Sequence, residues 1–178
     1  AHCSRVQILL FVNELTTESA ISGKIRQRKQ VFSTQLVISK KIIQIEIEKL
    51  KDHHPQALII RTTPNTEDKK YYQFTKNPPA FFTNDALRYI SDSGIQHLVV
   101  DLPSIDRKSD NGILGNHRIF WGDGENAKGE INPDSINTIT ELAFIPNEVQ
   151  DGFYFLNIQL PHFKCDAAPS RPLLIKSL

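Results

Sequence analysis

Gly94-Ile95-Gln96-His97-Leu98-Val99-Val100-Asp101-Leu102-Pro103-Ser104-Ile105-Asp106-Arg107, followed after a polar linker by Leu114-Gly115-Asn116-His117-Arg118-Ile119-Phe120-Trp121, is the stretch around which the chain is organised. Leu98-Val99-Val100 has the pattern of a buried strand, and it ends in Asp101 and a Pro-Ser turn. Such a strand end, passing into a loop, is where folds place reactive groups. The second segment returns a histidine, His117, against Phe120 and Trp121, two aromatics whose size predicts burial.

Working outward, Thr83 reads as the N-cap of a helix whose buried stripe is Ala86, Leu87, Tyr89 and Ile90 and which Gly94 ends. Upstream of it, Leu58-Ile59-Ile60 is a core strand with Arg61 at its end. The result is a strand-helix-strand unit, right-handed if its strands are parallel. Between them Pro64 to Lys70 is a long polar loop, a candidate pocket rim, and Asn77-Pro78-Pro79-Ala80 is extended because each residue before a proline is pushed out of the helical region.

Nearer the N-terminus, Val6–Val12 and Val31–Ile38 read as strands. Ile42 to Leu50 fits both periods, and a helix from about Gln44 to Lys51 is the preferred reading because a lysine-rich end and His53-His54-Pro55 make a stop. Adjacent His53 and His54 could bind metal, but neighbouring side chains diverge on a helix, and the preferred reading is that they finish it. Downstream, Gly122–Gly129 is a turn that lacks the ligand ladder of a calcium loop. Strands are expected over Ile136–Phe144, Gly152–Leu160 and Arg171–Ile175.

A chain of 178 residues suits one domain, here 1–178, able to bury roughly 70% of its unfolded surface. Its 21 basic and 20 acidic residues leave a net charge of +1, which offers no field to recruit nucleic acid or an anionic membrane. The Lys24–Lys29 cluster has no interleaved aromatics for base stacking and reads as a solvated face. No apolar run approaches the ~20 residues of a span. Cys3 and Cys165 show no metal or redox spacing and fit free thiols in a reducing compartment, so the expected location is cytoplasmic. The chain contains no methionine, consistent with a processed start or an upstream segment.

Asp101-Leu102-Pro103-Ser104-Ile105-Asp106-Arg107 and Asn116-His117-Arg118-Ile119-Phe120-Trp121 resemble the D-x-P-S-[VI]-D and A-H-H-A-F-W segments of the cyclase family, metal-dependent hydrolases that include bacterial kynurenine formamidase and isatin hydrolase. Ala57–Thr62 resembles its "LIRT" strand, Asn137–Leu142 its "TITEL" strand, and Asp151–Leu156 with Ala168–Pro172 its C-terminal hairpin. The resemblance implies an α+β domain, a mixed β-sheet with a few helices in the swivelling β/β/α arrangement. It also implies a divalent metal, zinc or manganese, with His117 and Glu141 among its ligands, hydrolysis of a small-molecule amide or cyclic amide such as an N-formyl aryl amine, and a homo-oligomer.

The family's H-x-G-T-H-x-[DE] motif, which supplies three metal ligands, is absent from these residues. His2 matches at most the acid/base histidine that follows it, the rest of the motif then preceding Ala1. The expectation is therefore an incomplete, weakly active or inactive hydrolase, and the alternative is a non-catalytic relative that keeps the fold and a ligand-sized cleft. At Arg118 the family commonly has a second histidine, and a guanidinium cannot shuttle protons near neutral pH. Asp101 and Ser104 carry two readings: groups that orient a ligand or a metal-bound histidine, or Asp101 as the cap of the Pro103-Ser104 turn. Without the resemblance, His117 would be a packed histidine and Glu141 the exposed member of an alternating strand.

Overall fold

The computed structural model describes residues 4–11, as backbone, together with 36–49, 54–76, 78–122, 132, 134–163, 165 and 167–176. His2, His53, the 24–29 cluster and residues 123–129 of the expected Gly122–Gly129 turn lie outside them.

Eight strands are described: β1 (Ser4–Phe11), β2 (Val37–Ile38), β3 (Ala57–Thr62), β4 (Phe81–Phe82), β5 (His97–Val100), β6 (Thr138–Thr140), β7 (Gly152–Gln159) and β8 (Arg171–Lys176). Three helices accompany them, α1 (Lys40–Glu48), α2 (Asn84–Asp92) and α3 (Gly115–Trp121), with a 3-10 turn at Glu67–Tyr71. Six strands form one sheet in the order β6-β5-β3-β1-β7-β8, and β2 pairs with β4 in a small second sheet. From β6 to β1 neighbouring strands are parallel, whereas β7 runs antiparallel to β1 and β8 to β7. The fold is mixed α+β, as expected.

The sheet's parallel half explains its sequence. Strands covered on both faces lose the alternation of a half-exposed strand and read as continuous apolar runs. Leu58, Ile60, Leu98 and Val100 meet the helices through Ile43 and Ile47 of α1, Leu87 and Ile90 of α2, and Ile119 and Phe120 of α3. Ala57, Ile59 and Val99 point to the other face, where Ile145 and Leu156 cover them.

α2 follows its local chemistry. The Thr83 hydroxyl accepts from Ala86 N at 3.2 Å, Ala86, Leu87 and Ile90 are buried, and Gly94 takes φ +81°, the left-handed conformation that ends a helix at low cost. α1 starts at Lys40, earlier than the expected Gln44: Ile43 and Ile47, four residues apart, are both buried, whereas Ile45 is 50% exposed, which a strand burying alternate isoleucines would not allow. Of the expected Ile136–Phe144 strand only Thr138–Thr140 is paired, and the 64–70 loop contains the 3-10 turn.

α3 was not foreseen in the sequence, and the loop before it makes it. The Asp110 carboxylate accepts from Gly112 N at 2.8 Å and Leu114 N at 2.6 Å, Leu114 turns through φ 52°, and Asp106 Oδ1 accepts from Asn116 N at 2.6 Å. Carboxylates thus satisfy amide donors at the helix entrance that the helix itself leaves open. Phe120 is fully buried, while Trp121 is only partly so and packs at the core's margin.

Candidate functional site

Because β1, β3, β5 and β6 are parallel, their carboxyl ends share one edge of the sheet, the edge where open α/β sheets bind ligands. Thr62 ends β3, Asp101 follows β5 and Glu141 follows β6. Two polar clusters are built there.

The first joins α3 to the β6 end. His117 Nδ1 lies 2.6 Å from Asp106 Oδ2, and His117 Nε2 lies 3.4 Å from Glu141 Oε1. Glu141 Oε1 also accepts from Ile105 N at 2.9 Å. Leu142 N donates to Leu102 O and Ala143 N to Val100 O, at 2.8 and 3.0 Å, which lays the segment after Glu141 along the 100–102 backbone. Leu142 turns through φ 55° to do so. The Trp121 ring stands against the imidazole, with centroids 4.9 Å apart and planes at 60°. Burial by itself lowers the histidine's pKa, but hydrogen bonds and charge from Asp106 and Glu141 outweigh it and raise the value to about 9. His97 makes the contrast: its Nδ1 pairs with Thr138 Oγ1 at 2.9 Å, no carboxylate is hydrogen-bonded to that nitrogen, and burial lowers its pKa.

The second cluster ties β3 to β5. Asp101 Oδ2 accepts from Thr62 N at 2.8 Å and from Lys69 Nζ at 2.6 Å, and its Oδ1 accepts from Thr62 Oγ1 at 3.0 Å. Lys69 Nζ also reaches Thr62 O at 2.6 Å and Thr62 Oγ1 at 2.8 Å. The ion pair is covered, with side chains 12% and 1% exposed. The reading of Asp101 as the cap of the Pro103-Ser104 turn is thereby corrected. The Ser104 hydroxyl accepts the turn's amide proton, from Asp106 N at 3.1 Å, because the Asp101 carboxylate is directed across the sheet to Thr62 and Lys69.

Among the residues singled out from sequence, His117, Glu141 and Trp121 come together, and Ser104 bears on them by holding Asp106. Arg118 Nε donates to Ile113 O at 2.9 Å. Asp106, the partner of His117 Nδ1, was not singled out although it lies inside the quoted motif. The signal that could have found it was its distance from His117, 11 residues across a polar loop before a helix. Asn116 was missed too: it is 2% exposed, and its Nδ2 donates to Phe82 O and Ile105 O at 2.8 Å, clamping α3 to the small sheet. A cavity of about 480 Å³ opens beside Asp106, bounded by Phe81, Phe82, Arg107, Ile113 and Asn116 among others. Neither His117 nor Glu141 lines it.

The donor set can be tested against a divalent metal. Two ligands on a tetrahedral zinc, at about 2.0–2.2 Å each, stand about 3.3 Å apart, and His117 Nε2 and Glu141 Oε1 have that spacing. A carboxylate on the far ring nitrogen is the usual companion of a metal-binding histidine, and Asp106 provides it. Because Asp106 is engaged there, the pair supplies two donors, and among the described residues no group of three His, Cys, Asp or Glu is arranged to hold a metal.

No family model matches the sequence, and no curated protein matches it. Solved structures share its fold, among them these two. One, described as a potential metal-dependent hydrolase with cyclase activity, superposes with a TM-score of 0.57 at 18% identity over 97% of this chain and 64% of its own. The other, a predicted metal-dependent hydrolase from Bacillus stearothermophilus, gives 0.55 at 18% identity, over 97% of this chain and 63% of its own. The chain thus spans just under two thirds of the length of each. At that identity the likeness is one of fold.

Proposed function

We propose that this chain carries half of a divalent-metal centre of a cyclase-like hydrolase, acting on the C–N bond of a small amide or cyclic amide of the kynurenine formamidase type. The observation that supports this most is the His117 Nε2–Glu141 Oε1 pair, brought to ligand spacing from separate elements while Asp106 holds the other ring nitrogen. The fold neighbours described as metal-dependent hydrolases point the same way.

In this reading His117 and Glu141 hold zinc or manganese, which when bound supplies an acidified water and polarises the amide carbonyl. Asp106 keeps the proton on Nδ1, so that Nε2 is the nitrogen that would give up its proton and present a lone pair to an ion, and the Ser104 hydroxyl holds the Asp106 backbone in turn. Ile105 N–H fixes the Glu141 oxygen, and the Trp121 ring covers one side of the imidazole against water. A catalytic zinc takes three protein ligands and an open position, so two donors hold the ion weakly until further ligands join them. His2 is the acid/base candidate, and a homo-oligomer is the expected assembly.

The competing reading, a non-catalytic relative with a ligand cleft, has one observation in its favour: Asp106 and Glu141 already neutralise a charged His117 with no ion. Titrating the purified chain with zinc and with manganese by calorimetry, and assaying an N-formyl aryl amine alongside, separates the two. Weak uptake that His117→Ala and Glu141→Ala both abolish supports the half-site. Uptake unchanged in both variants refutes it, and no uptake at all decides for the non-catalytic relative.

A further inference from the structure

At the carboxyl end of β3 a separate cavity of about 420 Å³ is bounded by Arg61, Pro64, Asn65, Asn147, Gln150 and Asp151. None of these belongs to the Asp106–His117–Glu141 cluster. Its volume falls in the range of about 300–1,000 Å³ common for small-molecule sites.

Two of its lining residues are buried and incompletely satisfied. Arg61, 4% exposed, donates through Nη1 to Pro146 O at 2.6 Å and Val149 O at 3.0 Å, and its Nη2 stands 3.4 Å from Asp151 Oδ1. Its Nε has no acceptor. Asn65, 7% exposed, donates through Nδ2 to Ile145 O and to Asn147 Oδ1, both at 2.8 Å. Two acceptors around one nitrogen set the orientation of that amide, so Oδ1 is the atom left without a donor. Interior polar atoms are almost always paired, and an unpaired one costs free energy. Here two residues that line one cavity each keep a covered polar atom unpaired, a donor on Arg61 and an acceptor on Asn65.

The charge of the lining narrows the ligand. Arg61 and Asp151 offset one another, and Asn65, Asn147 and Gln150 are neutral amides, so neither an anion nor a cation is favoured. We propose that this cavity binds a neutral carboxamide or lactam, its carbonyl accepting from Arg61 Nε and its N–H donating to Asn65 Oδ1. Both atoms are covered in the free protein. The ligand therefore enters by shifting the largely exposed 147–151 segment, which exchanges its hydrogen bonds from Arg61 Nη1 to Val149 O and from Asn65 Nδ2 to Asn147 Oδ1 for those to the ligand.

The test uses the full chain, isotope-labelled and kept metal-free with chelator, titrated with 2-pyrrolidinone while backbone amide shifts are followed. γ-Butyrolactone, the same ring with oxygen in place of N–H, and N-methyl-2-pyrrolidinone serve as controls. The lactam is expected to give saturable shifts over residues 61–65 and 145–151, and both controls to bind at least about tenfold more weakly, as a site built for an N–H rejects an analogue lacking it. Asn65→Ala should erase that preference; the ligand series decides the question even if this variant fails to fold. Equal binding of lactam and lactone, an absence of saturable shifts, or shifts confined to residues around His117 would each overturn the proposal. Because no metal is present, failure here leaves the half-site reading untouched.

Discussion

Replacing Asp106 by asparagine keeps the side chain's shape and removes its charge from the far side of His117. The bond it changes is 2.6 Å long, between side chains 6% and 11% exposed, so water cannot substitute. Hydrogen bonds to charged groups are worth about 1.5–3 kcal/mol, and an opposite charge at this range moves a pKa by about 1–3 units. His117 in the parent titrates at about 9, against an ordinary 6.5. Since the folded value is the raised one, its contribution, on the order of 3 kcal/mol at 1.36 kcal/mol per unit, is fully present below about pH 6.5. It is then lost as pH rises through about 9. In Asp106→Asn the His117 midpoint should fall by at least about one unit, and the decline in stability between pH 6.5 and 9 should shrink with it. The asparagine NH₂ facing Nδ1 should move the neutral ring's proton to Nε2, toward Glu141. Proton and nitrogen NMR of the His117 ring across pH 5–10, with urea unfolding at pH 6 and 9, reads all three. A midpoint still near 9 in the variant, with an unchanged loss of stability, would refute the assignment of Asp106 as the group that charges and orients His117.

Phe120→Ala should cost about 3–5 kcal/mol, more than Trp121→Ala, because Phe120 is fully buried and Trp121 only partly so; equal losses in denaturant melts would contradict the described core. Lys69→Met leaves the Asp101 carboxylate, 1% exposed, without its cation, and should destabilise by about 3–5 kcal/mol. Adding Asp101→Asn to that variant should recover much of the difference, and failure to recover would mean that lost packing, not charge, dominates. Thr83→Ala should cost about 1 kcal/mol through the lost cap on α2, with Thr83→Ser retaining most of it in thermal melts.

Much of the fold was legible wherever local chemistry decides local structure. The Thr83 cap, the Ala86, Leu87 and Ile90 positions of the expected stripe, whose Tyr89 is only partly buried, the Gly94 stop and the apolar runs of β3 and β5 are readable because capping, periodicity and two-sided burial act within a few residues. α3 was not legible: its entrance depends on Asp106 and Asp110 reaching back from a loop of polar residues that carries no helical period. Nor was the start of α1, where Ile43, Ile45 and Ile47 satisfy both periods until packing against α2 decides between them.

The sequence by itself determined where a candidate site would be sought, at the end of the Leu98–Val100 strand and at His117, because the residue types and their order were enough to mark a buried strand running into a polar turn. Only the tertiary structure decided which groups act together. Glu141 meets His117 because β6 joins the sheet parallel to β5 and Leu142 turns back onto Leu102. Asp101 serves Thr62 and Lys69 in place of its own turn because β3 lies beside β5 in parallel register. The physical reason is the same in both cases. A hydrogen-bond partner tens of residues away is chosen by strand order and register, which no short window of sequence contains.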